Sequence, residues 1–479
     1  AVNFVPSYVG GLVGQNAASG IVKNSTASGF SINFANQIGG LVGENYGNIY
    51  GSSTSSMSVR GYNRIGGLVG YNQTGGVIES SYSSATVRGC CDAVGGLVGI
   101  STGNIIGSYS TGAVTGGSTA SGGLVGWLGL AGVVENSYST SDVSGAMFTG
   151  GLVGGAGNDA KIISSYSMTA LTRDPNVNGG SFQGGYLVGG LNQNAQVIDS
   201  YFYGKSFNGN GVNAGLIVAG TGLTQSQMKS SSSFVSWSNN QFWYQYDGNT
   251  APLLTYFLTP LTVTISNSEK VYDGNSSFAP VISYSSSFDS NKLQGSVSFS
   301  TLSSRVGTYQ LNPSGYYSSQ DGYKITYTSG VLTITPAPLV VGGVSAQSKV
   351  YDSTRVATLA GTPTVNVIGV DDVTVGGTGA GQFSDKNVGT GKSVAVTGYT
   401  ISGTDAGNYN VVQPTGLTAD ITKADLQVAV VAAQSKVYDS TRVATLTGTA
   451  VATPIGVDDV TLGGTGAGQF SDKNVGTGK

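Results

Sequence analysis

Gly95-Gly96-Leu97-Val98-Gly99, followed by Gly103-Asn104-Ile105-Ile106-Gly107-Ser108-Tyr109-Ser110-Thr111-Gly112-Ala113-Val114, is the stretch that decides the fold, because both parts recur. The leucine of the pentapeptide returns as Leu12, Leu41, Leu68, Leu97, Leu124 and Leu152, then in altered settings as Leu187 (Gly-Tyr-Leu-Val-Gly) and Leu216 (Ala-Gly-Leu-Ile-Val). The steps are 29, 27, 29, 27 and 28 residues, then 35 and 29. Behind each leucine an apolar residue precedes a tyrosine by four: Ile78 and Tyr82, Ile105 and Tyr109, Val134 and Tyr138, Ile162 and Tyr166, Val197 and Tyr201. Thr26 and Ser53 hold the tyrosine slot in the first two units, and Val59, Val87, Val114 and Val143 mark a third element.

A fixed period of this length marks a solenoid. Three short β-type runs bounded by Gly, Asn or Ser turns fill each unit. None can bury a face alone, but stacked copies place leucine over leucine and tyrosine over tyrosine in continuous interior ladders. The reading predicts one parallel β-solenoid from residue 1 to about 220. Its glycines would serve positive φ and close backbone approach at the corners.

Composition narrows the function. The 479 residues exceed what one core serves, and a hydrophobic fraction of 39% with only 9% charged residues is that of a folding chain. A net charge of −3 gives no footprint for nucleic acid, and no apolar run is long enough to span a membrane, so neither partner is expected. Histidine is absent, which removes the commonest general base and metal ligand. The two cysteines are the neighbours Cys90 and Cys91, open to two readings: a vicinal disulfide, or two small buried thiols. Ala1-Val2-Asn3-Phe4 is neither a signal-peptide start nor an initiator, so the natural N-terminus is expected to lie upstream.

On these residues the array resembles the GLUG repeat of bacterial surface proteins, typical of filamentous-haemagglutinin-type exoproteins. The resemblance implies a right-handed parallel β-helix. Residues 221–260 break the period; Thr224 to Lys229 suits one short helix, and Trp237 and Trp243 fall close together before Tyr246-Asp247-Gly248. An open solenoid end exposes apolar rungs and unpaired edges, so these tryptophans are read as an aromatic cap on that end. The segment also resembles the one that closes GLUG arrays.

From Leu261 a longer repeat begins, anchored by Lys-Val-Tyr-Asp at Lys270–Asp273, Lys349–Asp352 and Lys436–Asp439, with tyrosines 79 and then 87 residues apart. Alternating runs such as Leu261 to Ser266, Tyr323 to Tyr327 and Val331 to Thr335 predict small β-sandwich or β-grasp-like modules, each with its own core. The boundaries are drawn at 261–338, 339–424 and 425–479, with Thr335-Pro-Ala-Pro338 and Thr422-Lys-Ala-Asp425 as connections. Residues 346–392 and 433–479 differ at about seven of 47 positions, clustered at 363–367 against 450–454. The modules resemble the tandem MBG and YDG modules of large secreted adhesins, although Ser353 stands where the naming motif has Gly. The last copy stops at Lys479, before a counterpart of Gly398-Tyr399-Thr400, and is expected to be truncated.

Candidate chemistry is sparse. Gly377-Thr-Gly379-Ala-Gly381 has a phosphate-loop look without the following helix. Asp371-Asp372, repeated as Asp458-Asp459, could ligate calcium or form a solvated turn, and the turn is preferred. Glu79 and Glu135 share one slot two rungs apart with Ile106 between them, a poor arrangement for glycoside cleavage. Asn24, Asn72 and Asn275 fit the glycosylation pattern. No catalytic, cofactor-binding or metal site is expected.

The preferred reading is a secreted bacterial adhesin segment, a shaft followed by spacer modules. The alternative is a self-assembling filament or sheath subunit, and a β-helical polysaccharide-degrading enzyme comes third. Expected partners are a surface ligand, glycan or protein, an outer-membrane secretion partner, and copies of the chain itself in fibres.

Overall fold

The computed structural model describes residues 8–33, 35–116, 118–173, 183–203, 220–299, 303–429 and 431–479. It forms two compact units. One holds residues 1–264, 283–298 and 313–328, and the other holds 265–282, 299–312 and 329–479.

The first unit is an all-β solenoid of parallel sheets. Each coil has five short strands rather than three, as in Ala93–Gly95, Val98–Ser101, Asn104–Ile106, Tyr109–Ser110 and Val114–Thr115. Strands of equivalent position stack into five sheets numbered here in the order the chain visits them, of seven, seven, seven, eight and six strands. The extra strands arise because the leucine run and the Ile-to-Tyr run each bend once. Leu97 occupies the first bend, between Gly95 and Val98, and not a strand.

The repeat register is kept from coil to coil. Val59, Val87, Val114 and Val143 pair in sequence, as do Tyr82, Tyr109, Tyr138, Tyr166 and Tyr201. Thr26 and Ser53 take the tyrosine position in the first two coils. At the leucine bend the backbone forms its own ladder: Leu41 N–H donates to Leu68 O at 3.0 Å, Leu68 to Leu97 at 2.8 Å, Leu97 to Leu124 at 2.9 Å and Leu124 to Leu152 at 2.8 Å. The side chains of these leucines, with Ile49, Ile78, Ile105 and Val98, are fully buried, each contributing about 1.5–3 kcal/mol on leaving water.

Close approach explains the glycines of the pentapeptide. A Cβ on Gly96 would stand 2.0 Å from Gly123 O, so any larger residue would push two coils apart. Positive φ, the other expected reason, is used at a different corner. Between the third and fourth sheets one residue per coil is left-handed: Asn24, Gly51, Ser80, Gly107, Asn136, Ser164 and Asp199. Small polar residues tolerate that conformation best after glycine.

Two ladder positions depart from the reading. Leu12, expected inside, is 57% exposed, because it lies in the first described coil with a stacked coil on one side only. Leu216 lies outside the described residues. Leu187 is buried as expected.

The second unit holds the module strands. Gly330–Thr335 pairs with Ser268–Val271 and with Gly307–Leu311. Ala337–Val340 pairs with Tyr409–Val412, so only Pro336 separates two strands where a connection was expected. A five-stranded sheet runs Lys349–Val350, Leu417–Thr422, Gly389–Thr397, Ala380–Phe383 and Val356–Ala357. The last module is built of short two-stranded pairs, such as Val443–Ala444 with Gly468–Gln469.

The expectation of one core per module fails for residues 261–338. Their strands are divided between the two units, and one apolar cluster joins Ile265, Tyr272, Leu311 and Leu332 to Leu339 and Tyr409 of the next module. The strands of this module fall into three separate small sheets, of three, three and two strands, and none of these closes a core alone. The second module does have its own cluster around Phe383, Val394, Val396, Tyr399 and Ile421.

Candidate functional site

The repeated residues gather in two places, the flank of the solenoid and the joints between modules.

On the flank, the Ser-Tyr-Ser strand alternates. The second serine of each triplet, Ser83, Ser110, Ser139 and Ser167, is buried inside the coil, and Ser110 Oγ donates to Gly123 O at 2.6 Å. The intervening tyrosine therefore faces outward, since successive side chains point to opposite faces of a strand. This corrects the expectation of an interior tyrosine ladder. The ladder exists, on the outer face: rings of Tyr82 and Tyr109, Tyr109 and Tyr138, and Tyr138 and Tyr166 lie 4.9, 5.0 and 4.9 Å apart and within 6° of parallel.

The first serine of each triplet had no assigned role. Its Oγ accepts the backbone N–H of the preceding coil's equivalent, as from Ser52 N to Ser81 Oγ and from Ser81 N to Ser108 Oγ, both at 3.1 Å. The same hydroxyl donates to the carbonyl two residues back, Ser81 Oγ to Glu79 O at 2.9 Å. Recurrence at every coil was the signal that could have found it. A second buried polar ladder links Asn16 Nδ2 to Asn45 Oδ1 at 2.7 Å and Asn45 Nδ2 to Asn72 Oδ1 at 2.8 Å. Asn72 is fully buried there, which closes it as a glycosylation acceptor.

Residues 221–257 cover the tyrosines. Thr221–Leu223 adds a last strand beside Tyr201–Tyr203, and Thr224 caps the helix Gln225–Met228 with a capping box to Gln227. From there the chain returns along the outer ladder. Phe234 and Trp237 meet Tyr201, Trp237 and Trp243 meet Tyr166, Trp243 meets Tyr138, and Phe257 meets Tyr109 and Tyr82 edge-on. Trp237 and Trp243 stack on each other at 4.8 Å. They form a strap along the flank and not a plug in the end, because the apolar rings to be covered stand outside the coil. Tyr166 OH donates to Pro252 O at 2.7 Å, and Gln320 Oε1 accepts from Tyr138 OH at 3.1 Å and from Leu254 N at 2.7 Å. Burial drives the phenols of Tyr138 and Tyr166 well above their usual pKa.

Cys90 and Cys91 lie in the turn that leads from the fifth sheet to the first. Both are exposed and their sulfurs are bonded, which removes the buried-thiol reading. Cys91 N–H donates to Tyr62 O at 3.0 Å in the coil before.

The module motif Lys-Val-Tyr-Asp divides its labour. Lys349 Nζ stands 2.6 Å from Asp352 Oδ1, which also accepts Thr354 N–H at 2.9 Å. The lysine contact, then the N–H bond, pull that carboxyl down to about 2. Lys270 with Asp273 and Lys436 with Asp439 repeat the turn at 2.8 and 2.7 Å. The naming glycine sits in this turn with φ of 77° at Gly274, and Ser353 and Ser440 take the same left-handed conformation at 62° and 67°. The Gly-to-Ser departure thus preserves the turn.

The tyrosine of the motif reaches forward. Tyr272 OH donates to Asp371 Oδ2 of the next module at 2.8 Å, where Tyr409 OH also donates at 2.6 Å. Tyr351 OH donates to Asp458 Oδ2 of the module after that, and Lys386 Nζ stands 2.5 Å from Asp458 Oδ1. Lys386 and then Tyr351 hold the Asp458 carboxyl below the usual range. Burial, then the contact with Asp371, push Tyr272 up to about 12. The first aspartate of each pair weighed for calcium or a solvated turn, Asp371 or Asp458, is therefore a joint residue. Asp372 Oδ2 accepts from Thr404 N and Oγ1, and among the described residues no three metal-ligating side chains cluster.

The remaining candidates stay apart from one another. Gly377 to Gly381 leads into the strand Ala380–Phe383, which has no helix dipole to offer a phosphate. Ile106 pairs on one side with Glu79 and on the other with Glu135, so those carboxylates are not adjacent. Among the described residues no helix is long and apolar enough to cross a membrane.

Comparison with known proteins agrees with this organisation. The GLUG motif family matches residues 6–33 and 61–88, the MBG domain (YGX type) matches 261–333, and the YDG domain matches 335–416 and 422–479. No curated protein matches the chain. A Bacteroides ovatus crystal structure, described as a candidate immunoglobulin A1 protease, is 19% identical over 50% of this chain and 76% of its own, with a TM-score of 0.35. GLUG motifs wound into a β-solenoid, an MBG domain and two YDG matches in tandem make this chain a surface-associated repeat protein.

Proposed function

We propose that the chain is the shaft and spacer of a secreted bacterial adhesin, serving attachment or biofilm formation, and that it performs no catalysis. The observation that carries this reading is where the recurrent side chains are used. The recurrent serines, the asparagines of the first coils and the tyrosines of the later ones hold the next coil or the strap, and each module tyrosine that finds a partner holds the next module. Side chains spent on neighbours build length and stiffness, and catalysis would need them to converge on one cleft. The attachment ligand, a glycan or a protein on a host or neighbouring cell, would then bind on outward loops or on another part of the protein, with export through an outer-membrane partner.

Deletion of residues 350–436 tests the spacer role, because it removes one 87-residue period and brings Asp458 to the place that Asp371 holds. In a bacterium displaying the protein, we expect export to persist and attachment to fall where target is sparse. Lost export, or attachment unchanged at every target density, overturns the spacer reading.

A further inference from the structure

Cys90 and Cys91 are joined by a disulfide that the fold does not need. With a sequence separation of 1 it closes no loop of chain, so it withholds no loop entropy from the unfolded state. The next coil makes the same corner without it. Val87 pairs with Val114 and Ala93 with Ala120, so both coils advance six residues from the fifth sheet to the first, 87 to 93 and 114 to 120, and residues 115–119 contain no cysteine. The backbone of the corner is held on both sides by other bonds. Cys91 N–H donates to Tyr62 O at 3.0 Å, Cys91 O accepts from Thr119 Oγ1 at 3.2 Å, and Ala120 N–H donates to Asp92 O at 3.3 Å.

We infer that this bridge is a site of thiol–disulfide exchange, through which the chain becomes covalently joined to a protein that presents a free thiol. The thiolate of that protein attacks one sulfur, the S–S bond breaks, its electron pair leaves with the other cysteine as a thiolate, and a mixed disulfide remains. Access and charge both favour the step. Cys90 and Cys91 are exposed on an outer corner inside the array, where a folded partner can reach them. Arg88, two residues before Cys90, is exposed and lies in register with Arg60, which is exposed too. Two guanidinium groups one strand spacing apart draw in a thiolate and lower the cost of the one that departs. Asp92, the carboxylate of the corner, is half-buried in the field of Arg64, which offsets its charge. The step needs no module and does not depend on the spacer reading.

The test treats the full chain with glutathione, stops the reaction at intervals with N-ethylmaleimide to cap any released thiol, and maps the products by peptide mass. One cysteine of the pair should carry glutathione and the other maleimide, and Arg88→Gln should slow formation of this product roughly twofold or more. A folded protein with one surface thiol should give a disulfide-linked pair with the chain, absent when Cys90→Ser and Cys91→Ser are combined. In that double variant the first unit should unfold in urea at the parent's midpoint. No adduct at all, or maleimide on both cysteines from the earliest time point, overturns the inference. Attachment of glutathione without attachment of the protein overturns it as well, since the partner would then be only a small thiol. A lower midpoint in the double variant returns the bridge to a structural role and has the same force.

Discussion

Leu97 and Asp458 each belong to a repeat, and each meets the repeat beside it, but by opposite means. Leu97 is fully buried, stacked between equivalent leucines 29 and 27 residues away, and surrounded by atoms that never contact water. Asp458 is partly exposed and reaches the module before it through one phenol and one ammonium. The short repeat cannot exist singly, so its coils share one core. The long repeat can carry a core of its own, as the cluster around Phe383 shows, and the third module meets the second through the polar contacts of Asp458, although the first module still shares an apolar cluster with the second. Repeat length thus decides what the interface must supply: burial for the short unit, alignment for the long one.

The largest effect expected from this difference is at Leu97. Leu97→Asp places an unpaired carboxylate in the solenoid and should cost about 4 kcal/mol or more, read by urea unfolding of the full chain. Leu12→Asp, at a 57% exposed position, should cost less than about 0.5 kcal/mol. Equal costs would mean that the stack is not what stabilises the first unit.

Next comes the strap. Trp243→Ala removes the ring that meets Tyr138, Tyr166 and Trp237, and we expect a loss of about 3–5 kcal/mol. With water admitted, Tyr138 and Tyr166 should ionise nearer pH 10 in an ultraviolet titration. Unmoved titration curves would show that the strap does not set their environment.

A smaller loss is expected at a module joint. Tyr272→Phe removes one of the two phenols on Asp371 and leaves Tyr409 in place, so we expect about 0.5–1.5 kcal/mol. The first unit's transition should not move. A shift of both transitions would mean that the joints carry more than alignment.

The gentlest probe is pH, and it acts on the two regions from opposite ends. Asp458 and Asp352 have lowered folded-state values, so their contribution is present above the ordinary carboxylate range and is lost as pH falls below about 4. For the raised tyrosines the unfolded chain gives up protons first, so stability falls as pH climbs above about 10, through about 12 for Tyr272 and further for Tyr138 and Tyr166. Acid should loosen the second unit first, and strong base should weaken the strap. Hydrogen exchange across pH 2.5–11.5, compared at about one-unit steps, checks the order.

Much of the solenoid was legible because stacking forces equivalent residues into register. A leucine or tyrosine that returns every 27–29 residues has no other way to be equivalent. The number of strands was not legible, since the bends at Leu97 and at Gly107 fall inside runs that look continuous as sequence. The face of the tyrosines was half legible. Period-two alternation puts Tyr109 and Ser110 on opposite sides, but which side is the interior depends on a strap supplied from residues 221–257. For the modules, Lys-Val-Tyr-Asp and the Asp-Asp pairs were both visible as recurrences. Their partnership was not, because each tyrosine finds its aspartate 99 or 107 residues ahead, in a different repeat.

By itself, then, the sequence determined the period, the all-β class and the positions of the central leucine and tyrosine ladders, because those follow from local residue choice and from the rule that identical units stack identically. The tertiary structure alone decided which way the tyrosines face, that Trp237 and Trp243 lie along the flank, and that Asp371 and Asp458 close joints. Each of these is a contact between segments far apart in the chain, and the pattern within one repeat carries no information about what another segment will bring to its surface.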